Sequence, residues 1–392
     1  LNIIEVPDYS AQLSYLKAYC LEHNIERVIA NSELEINEVQ RDKSCIEQGI
    51  SLTLFESDVV VPKGKVLNQS GKMYKVFTPF KRAWLRYIQK YGFDYFGKIS
   101  STETDILDNP TVSNSTIEDN GLSAKWPLGS DFEQNELPLF FQNKIANYAD
   151  VRDIPSIKGT SGISPYLAAG VISPRYILRV LLTKFPDILI AEDSAEFPWL
   201  NEIIWREFYR HLMFHEPRLC KNECFNAKYQ NFHWNHNEQL FKQWCEGKTG
   251  YPLVDAAMRQ LNQTGWMHNR LRMVVASFLT KHLLIDWRLG EKYFMQNLID
   301  GDLASNNGGW QWAASTGCDA QPYFRVFNPI RQSERFDPKG DFIRKYLPEL
   351  NNIPDKQIHF PHQFIKDNNL NIYWPAIVEH KEARLKALAF YK

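Results

Sequence analysis

The sequence predicts a small α/β segment followed by a large all-helical body. Three observations carry that reading. Two short apolar runs of β type flank a helical pattern near the start. A polar stretch then interrupts the chain after residue 99, and helical periodicity dominates from residue 136 onward. The 392 residues leave room for two or three domains, at roughly 150 residues each.

In order, Tyr9–His23 is a helical pattern, Arg27–Ala30 a strand, Glu38–Glu47 a helix and Ser51–Phe55 a second strand. Strands separated by a helix belong to a doubly wound parallel sheet. Two strands do not complete such a sheet, and the first residue is Leu1 rather than Met. Residues 1–99 are therefore read as the remnant of an α/β domain whose N-terminal portion is expected to be absent. Residues 100–135 are rich in Ser, Thr, Asn and Asp, the composition of a linker. Residues 136–392 are read as the helical domain. Ser164-Pro165 and Ser173-Pro174 look like helix starts, a capping serine followed by proline at the first helical position. From Asp300 the Gly- and Asn-rich chain reads as irregular. Helices are expected again at Phe342–Leu347 and from Ala376.

Composition narrows the function. Lys+Arg 45 against Asp+Glu 46 gives a net charge of -1, so a polyanionic partner must be met by a local basic patch. No apolar run approaches the roughly 20 residues of a bilayer span, and no signal-peptide pattern is present. Six cysteines in a chain this long are too few for a disulfide scaffold and point to a reducing, cytoplasmic setting. Tryptophan is abundant, at 11 residues beside 18 Tyr and 24 Phe. Indoles are costly to bury unless the N–H finds a partner, so this abundance asks for a use.

Several clusters carry chemistry. Gly159-Thr160-Ser161-Gly162-Ile163-Ser164-Pro165 offers backbone N–H and hydroxyl donors of the kind that hold phosphate, although a plain capped loop has the same composition. Glu202, Trp205, Arg206 and Tyr209 fall at i, i+3, i+4 and i+7, one helical face on which an acid, an indole and an arginine suit a stacked ring with polar edges. A salt-bridged amphipathic helix would show the same spacing. Asn269, Arg272 and Met273 share another face, with Arg270 about 100° away. Asp300-Gly301-Asp302 through Trp312 resembles a calcium loop superficially, but Ala304 and Gln311 stand where oxygen ligands and a Glu are required. Its carboxylates and amides suit the rim of a planar cofactor better. Cys220, Cys224, His233 and His236 miss zinc-finger spacing, and no metal site is expected. Neither a Ser-His-Asp arrangement nor a P-loop is present.

Together these segments, with Thr249-Gly250-Tyr251-Pro252-Leu253-Val254-Asp255 and Trp266-Met267-His268-Asn269-Arg270, resemble the flavin-binding region of the photolyase/cryptochrome family. The similarity is nearest to bacterial class I cyclobutane pyrimidine dimer photolyases and runs from Met73 to Phe336. It implies FAD in an all-helical domain and light-driven electron transfer to a pyrimidine dimer flipped out of DNA. It assigns the cofactor to Tyr148, Thr160, Ser161, Gly162, Ile163, Ser164, Trp199, Arg206, Asn269, Arg272, Asp300, Gly301 and Asp302, with Asn306 facing the flavin N5. By the same resemblance, Glu202, Trp205, Met273 and Trp312 grip the lesion, while Arg152, Arg206, Asn269, Arg270 and Gln332 contact DNA. Arg325, Arg331, Arg335 and Lys339 add positive charge nearby.

Trp310, Trp287 and Trp234 match the family's electron-relay tryptophans. Asn37, Glu38, Cys220 and Lys221 match positions that contact a 5,10-methenyltetrahydrofolate antenna. Plant cryptochromes resemble an Asp variant at the Asn306 position and animal ones a Cys variant. The (6-4) photolyases carry a histidine pair where this chain reads His268-Asn269. A monomer acting on DNA, with no membrane, is the implied state.

Overall fold

The computed structural model describes residues 4–94 and 126–392. Helix α1 (Tyr9–Glu22) opens it, with the Asp8 carboxylate accepting from the Ala11 N–H at 2.8 Å as its cap. Strand β1 (Val28–Asn31) follows, then α2 (Ile36–Glu47) and β2 (Leu52–Phe55). The strands pair in parallel, Val28 opposite Leu52 and Asn31 opposite Phe55. Parallel pairing needs a crossover, and α2 supplies it. Leu13, Cys45 and Ile50 form the small core of this unit. Ile29 and Phe55 stay 66% and 54% exposed, so the two strands leave much of their apolar surface uncovered.

Helix α3 (Phe77–Tyr91) lies within the first 99 residues, yet its Phe80 and Trp84 are fully buried in the helical body beside Phe208 and Leu212. Much of the expected linker, residues 100–125, lies outside the described residues. Its last part is already helical: α4 (Gly129–Asp131) runs through a π turn at Phe132–Glu136 into α5 (Leu137–Asn143). Short helices α6 (Tyr148–Val151) and α7 (Ser164–Ala168) precede α8 (Pro174–Lys184). Ser173 caps α8 as its sequence suggests, but Ser164 does not cap α7. It is the first helical residue there, and no side chain caps that end.

The long helix α9 (Phe197–His215) is the spine. Pro198 sits in its first turn, where the missing N–H costs nothing. Leu200, Ile203, Ile204, Phe208 and Leu212 bury its apolar stripe. The buried Glu207 carboxylate accepts from the Val60 N–H, from the Val61 N–H at 3.3 Å and from the Trp84 indole, tying the 59–61 segment and α3 to the spine. A second cluster is built from α10 (Glu238–Cys245), α11 (Pro252–Thr264), α12 (Asn269–Ser277) with its π-turn extension Phe278–His282, α13 (Trp287–Asn297) and α14 (Leu303–Ala314). Helices α15 (Pro329–Phe336), α16 (Asp341–Tyr346), α17 (His362–Asp367) and α18 (His380–Phe390) complete the chain.

The stretch after Asp300, expected to be irregular, is mostly helix α14. Asp302 starts it, its Oδ1 accepting from the Ser305 N–H at 2.8 Å. Gly308 and Gly309 cost the helix about 1 kcal/mol each relative to Ala. Packing outweighs this at Gly308, where any Cβ would overlap the Tyr209 ring of α9. Periodicity could not show that, because the glycine is the contact.

Gly308→Ala improves intrinsic helix propensity, so an exposed site would be stabilised. Here the overlap should dominate and cost about 1–3 kcal/mol, lowering the unfolding midpoint. A variant melting above wild type contradicts this packing of α14 on α9.

Candidate functional site

The site forms where α9 meets the start of α14. Arg210, one turn beyond Arg206 on α9, pairs with both Asp58 and Asp302. All three side chains are largely buried. Burial, the largest single effect, would raise both carboxyls. Arg210, acting with Lys63 and Arg206 at Asp58 and with Arg206 and Ser305 at Asp302, outweighs it and holds both below the usual carboxylate range. Arg206 donates to the Asp58 carbonyl. Burial lowers its own value, and the neighbouring charge of Arg210 adds to the effect. Lys63 joins from the other side, 2.6 Å from Asp58 and 3.1 Å from Glu56.

Beside this network lies a cavity of about 140 Å³, partly open to solvent. Asn269, Arg272, Met273, Asp300, Asp302 and Asn306 line it, with Phe294 and Trp310 on its apolar side. The Arg272 Nη2 reaches both Asp300 oxygens at 2.9 and 2.8 Å, and its Nε donates to the Met267 carbonyl at 2.8 Å. Gly301 lies in the turn between the two aspartates, its N–H 3.3 Å from the Leu298 carbonyl. The Asn306 amide donates to the Glu291 carbonyl at 3.0 Å, which leaves its Oδ1 to accept. Glu291 also accepts from Asn307 at 2.8 Å, and Asn307 in turn accepts from Gln311 at 2.9 Å, so Asn306 sits on a buried polar scaffold.

Along α9, Glu202 pairs with Arg152, both side chains about one-third exposed. Burial pushes Glu202 above its ordinary value against the pull of Arg152. Trp205 stacks flat on Phe77, ring centres 3.6 Å apart and planes within 5°. Arg270 pairs with Asp153 at 2.7 Å and lies 4.5 Å over the Phe336 ring, while Arg335 covers the same ring at 5.1 Å. That ring joins Arg270 to the exposed Arg335 of α15; Arg325, Arg331 and Lys339 are exposed nearby in sequence. Gln332 is partly buried, with its Oε1 unpartnered. Trp312 is partly buried, its ring 6.5 Å from Phe327.

Other expected residues lie further off. Tyr148 is buried beneath the Arg152 guanidinium, 5.7 Å from it. Trp199 packs in the core against Phe140 and Phe141 at 5.4 and 5.2 Å. The Thr160–Ser164 loop turns at Gly162, whose φ of +69 suits glycine, and the Ile163 N–H reaches the Ser161 Oγ at 3.4 Å. Trp126 lies against that glycine and, 6.3 Å from Trp266, connects the loop to the start of α12.

Trp234, Trp287 and Trp310 share one buried cluster. Among the described residues none is in ring contact with another; the Trp234 indole N–H has no acceptor, and the Trp287 indole faces the Cys224 sulfur. Gly290 makes room for the Trp310 ring. Cys220 approaches the Leu34 carbonyl at 3.9 Å, which brings Cys220 and Lys221 to the start of α2, where Asn37 and Glu38 lie.

Sequence reasoning missed Arg210, Asp58, Glu291 and Phe77. Arg210 was findable, being one turn beyond Arg206 and two beyond Glu202 along α9. Asp58 and Phe77 lie far away in sequence and carry no local signal.

Burial pushes the Glu291 carboxyl up to about 7, only partly opposed by Asn307. A carboxyl held above its unfolded value binds its proton more tightly when folded. The cost of ionising it is therefore absent at and below the unfolded value, about 4.5, and complete above about 7. Glu291→Gln should match wild-type stability near pH 4.5 and exceed it above pH 7, by at most about 3 kcal/mol. Thermal unfolding across that range checks this, and a Gln variant less stable than wild type at pH 8 contradicts it.

Comparison with known proteins agrees with this geometry. Residues 8–94 match the family described as DNA photolyase, and residues 199–392 match the FAD binding domain of DNA photolyase. The deoxyribodipyrimidine photo-lyase of Escherichia coli (strain K12) is 46% identical over 99% of this chain and 83% of its own length. A bacterial class III photolyase from Agrobacterium tumefaciens superposes with a TM-score of 0.82 at 36% identity, covering 97% of this chain and 81% of its own. A Synechocystis sp. PCC6803 cryptochrome superposes at 0.77 with 26% identity, covering 96% and 82%. With a cavity ringed by amides and paired carboxylates, and a relative this similar across almost the whole chain, the protein belongs to the DNA photolyase family.

Proposed function

We propose that this photolyase splits cyclobutane pyrimidine dimers in DNA under light, with FAD held in the cavity between α12, α13 and α14. The observation that carries the site is that cavity, where Asp300 is locked to Arg272, Asp302 to Arg210, and Asn306 presents a free acceptor oxygen. This donor set fits a flavin. Its carboxylates and amides can meet ring and ribityl N–H and O–H groups, and the Phe294 and Trp310 side is apolar. Bound FAD, photoexcited in its reduced state, supplies an electron to the dimer and takes it back after the ring opens.

The chain's own residues bind, orient and exclude water. Met273 lines the cavity, and Trp205, backed by Phe77, offers a flat face on which a pyrimidine can stack. Glu202, raised by burial, can hold a proton toward a pyrimidine carbonyl, with Arg152 fixing its orientation. Arg152, Arg270, Gln332 and the α15 arginines meet phosphates, so affinity should fall as salt rises. A dimer that is already poorly stacked costs less to flip out than a normal base.

Trp310, Trp287 and Trp234 form the relay by which the oxidised cofactor is restored. Each pass would carry one electron inward and one hole outward to a soluble thiol. Two passes, with two thiols joined as a disulfide, would return oxidised FAD to its reduced state. An indole N–H without an acceptor favours this at the outer end, because a hole on Trp234 has no adjacent base to take its proton. Folate at the Asn37, Glu38, Cys220 and Lys221 cleft would serve as antenna. We read the working form as a cytoplasmic monomer.

The direct test is repair of DNA oligonucleotides carrying a defined cyclobutane dimer, illuminated against dark, with (6-4) substrates alongside. Light-dependent repair of the cyclobutane dimer alone is expected, and its absence would sink this function. Trp310→Phe should reduce photoreduction at least tenfold while sparing repair by pre-reduced enzyme. Unchanged photoreduction in that variant removes the relay role.

A further inference from the structure

Lys281 is an anomaly. Its side chain is fully buried in the π turn that extends α12, yet among the described residues no carboxylate pairs with it. Its Nζ donates to the Ser315 hydroxyl at 2.8 Å and lies 3.4 Å over the centre of the Tyr391 ring. Tyr391 is itself fully buried, and its hydroxyl has no partner. Tyr391 also meets Trp234 edge-on, ring centres 6.2 Å apart, and Phe390 lies 5.2 Å from the same indole. These two residues cover the outer end of the proposed relay and leave Trp234 only 5% exposed. A lone cation therefore sits one aromatic ring away from the site where the hole must rest.

We infer that Lys281 is a positioning residue that sets the oxidation potential at the outer end of the tryptophan relay. It acts through Tyr391, and its charge opposes a hole on Trp234. This rests on the relay reading above. A unit charge about 10 Å away across an effective dielectric of about 20 shifts the hole equilibrium on the order of tenfold. The charge is also conditional, because burial brings the Lys281 ammonium down to about 7.

The other ionisable groups packed around this pair come from every neighbouring element. On the turn itself is His282, bonded to His380 of α18 at 2.9 Å; burial lowers both. From the 224–229 segment come Cys224 and Tyr229, and from the start of α13 comes Asp286, already paired with Arg288 at 3.1 Å. Burial raises Cys224, takes His282 down to about 3 and lowers His380 below its ordinary value. Within this group the Lys281 charge changes near neutrality. His233, next to Trp234 in sequence, is common to wild type and Lys281→Met, so the comparison of the two isolates the lysine.

The test uses the holoenzyme with oxidised FAD and a soluble thiol, following the tryptophan radical by transient absorption from about pH 6 to 8.5. Wild type should show a radical yield that rises on the order of tenfold with pH. Lys281→Met should hold the upper level throughout, and Lys281→Arg, charged at every pH, the lower one. A wild-type pH profile in Lys281→Met overturns the inference. Trp234→Phe separates the two readings: if it leaves the radical signal intact, the relay fails, whatever Lys281 does.

A second readout needs no light. A lysine held below its unfolded value is destabilising when protonated, fully so below about pH 7, and the penalty fades as pH rises toward 10.5. Lys281→Met should therefore raise the unfolding temperature more at pH 6 than at pH 9. An equal change at both overturns the buried-charge account.

Discussion

The structure depends most on one guanidinium. Arg210 stands between Asp58, from the segment after β2, and Asp302, the cap of α14. Removing it would leave the buried Asp302 carboxylate without its paired cation and Asp58 with only Lys63, the costly way to break a buried ion pair. The contact therefore holds the spine, the chain entering the helical body and the floor of the cavity in one register. Asp302 can cap α14 and face the cavity at once because Arg210, with Arg206 and the Ser305 donors, keeps it ionised.

Around that charged centre the scaffold is held by carboxylates satisfied with neutral donors. Glu207 gathers the 59–61 segment and α3 onto α9. Asp255 does the same on the far side. It accepts from the Thr249 N–H and hydroxyl at 2.7 and 2.6 Å, from the Gly250 N–H at 3.0 Å, and from the Trp374 indole at 2.9 Å, with the Tyr373 hydroxyl as a further donor. Hydrogen bonds to a buried carboxylate are directional, so such hubs fix orientation as well as proximity. The tryptophans divide accordingly. Trp84 and Trp374 serve hubs, Trp205 offers a stacking face, and Trp234 keeps its N–H unpartnered in an apolar setting.

Much of this was legible in the sequence because it was local. The shared face of Glu202, Trp205 and Arg206 follows from helical spacing, and the βαβ start follows from two apolar runs around one helix. The Asp300 and Asp302 carboxylates, expected at the rim of a cofactor, line the cavity, while the helix they introduce was not expected. Its two glycines argue against a helix until the Tyr209 ring is seen lying against Gly308. Residues 59–91 were grouped with the α/β segment by position, whereas Glu207, about 120 residues later in the chain, attaches Trp84 to the helical body. Long-range pairings such as Asp58 with Arg210 leave no periodic trace, and the stack of Trp205 on Phe77 leaves none either.

The central claim is that Arg210, though it does not line the cavity, holds the flavin site together. It is tested most directly by flavin affinity in Arg210→Gln, read from bound-flavin absorbance per protein during titration with FAD, with far-ultraviolet circular dichroism confirming the helices. The account predicts at least tenfold weaker binding with helical content retained. Wild-type affinity in a folded Arg210→Gln protein would contradict it.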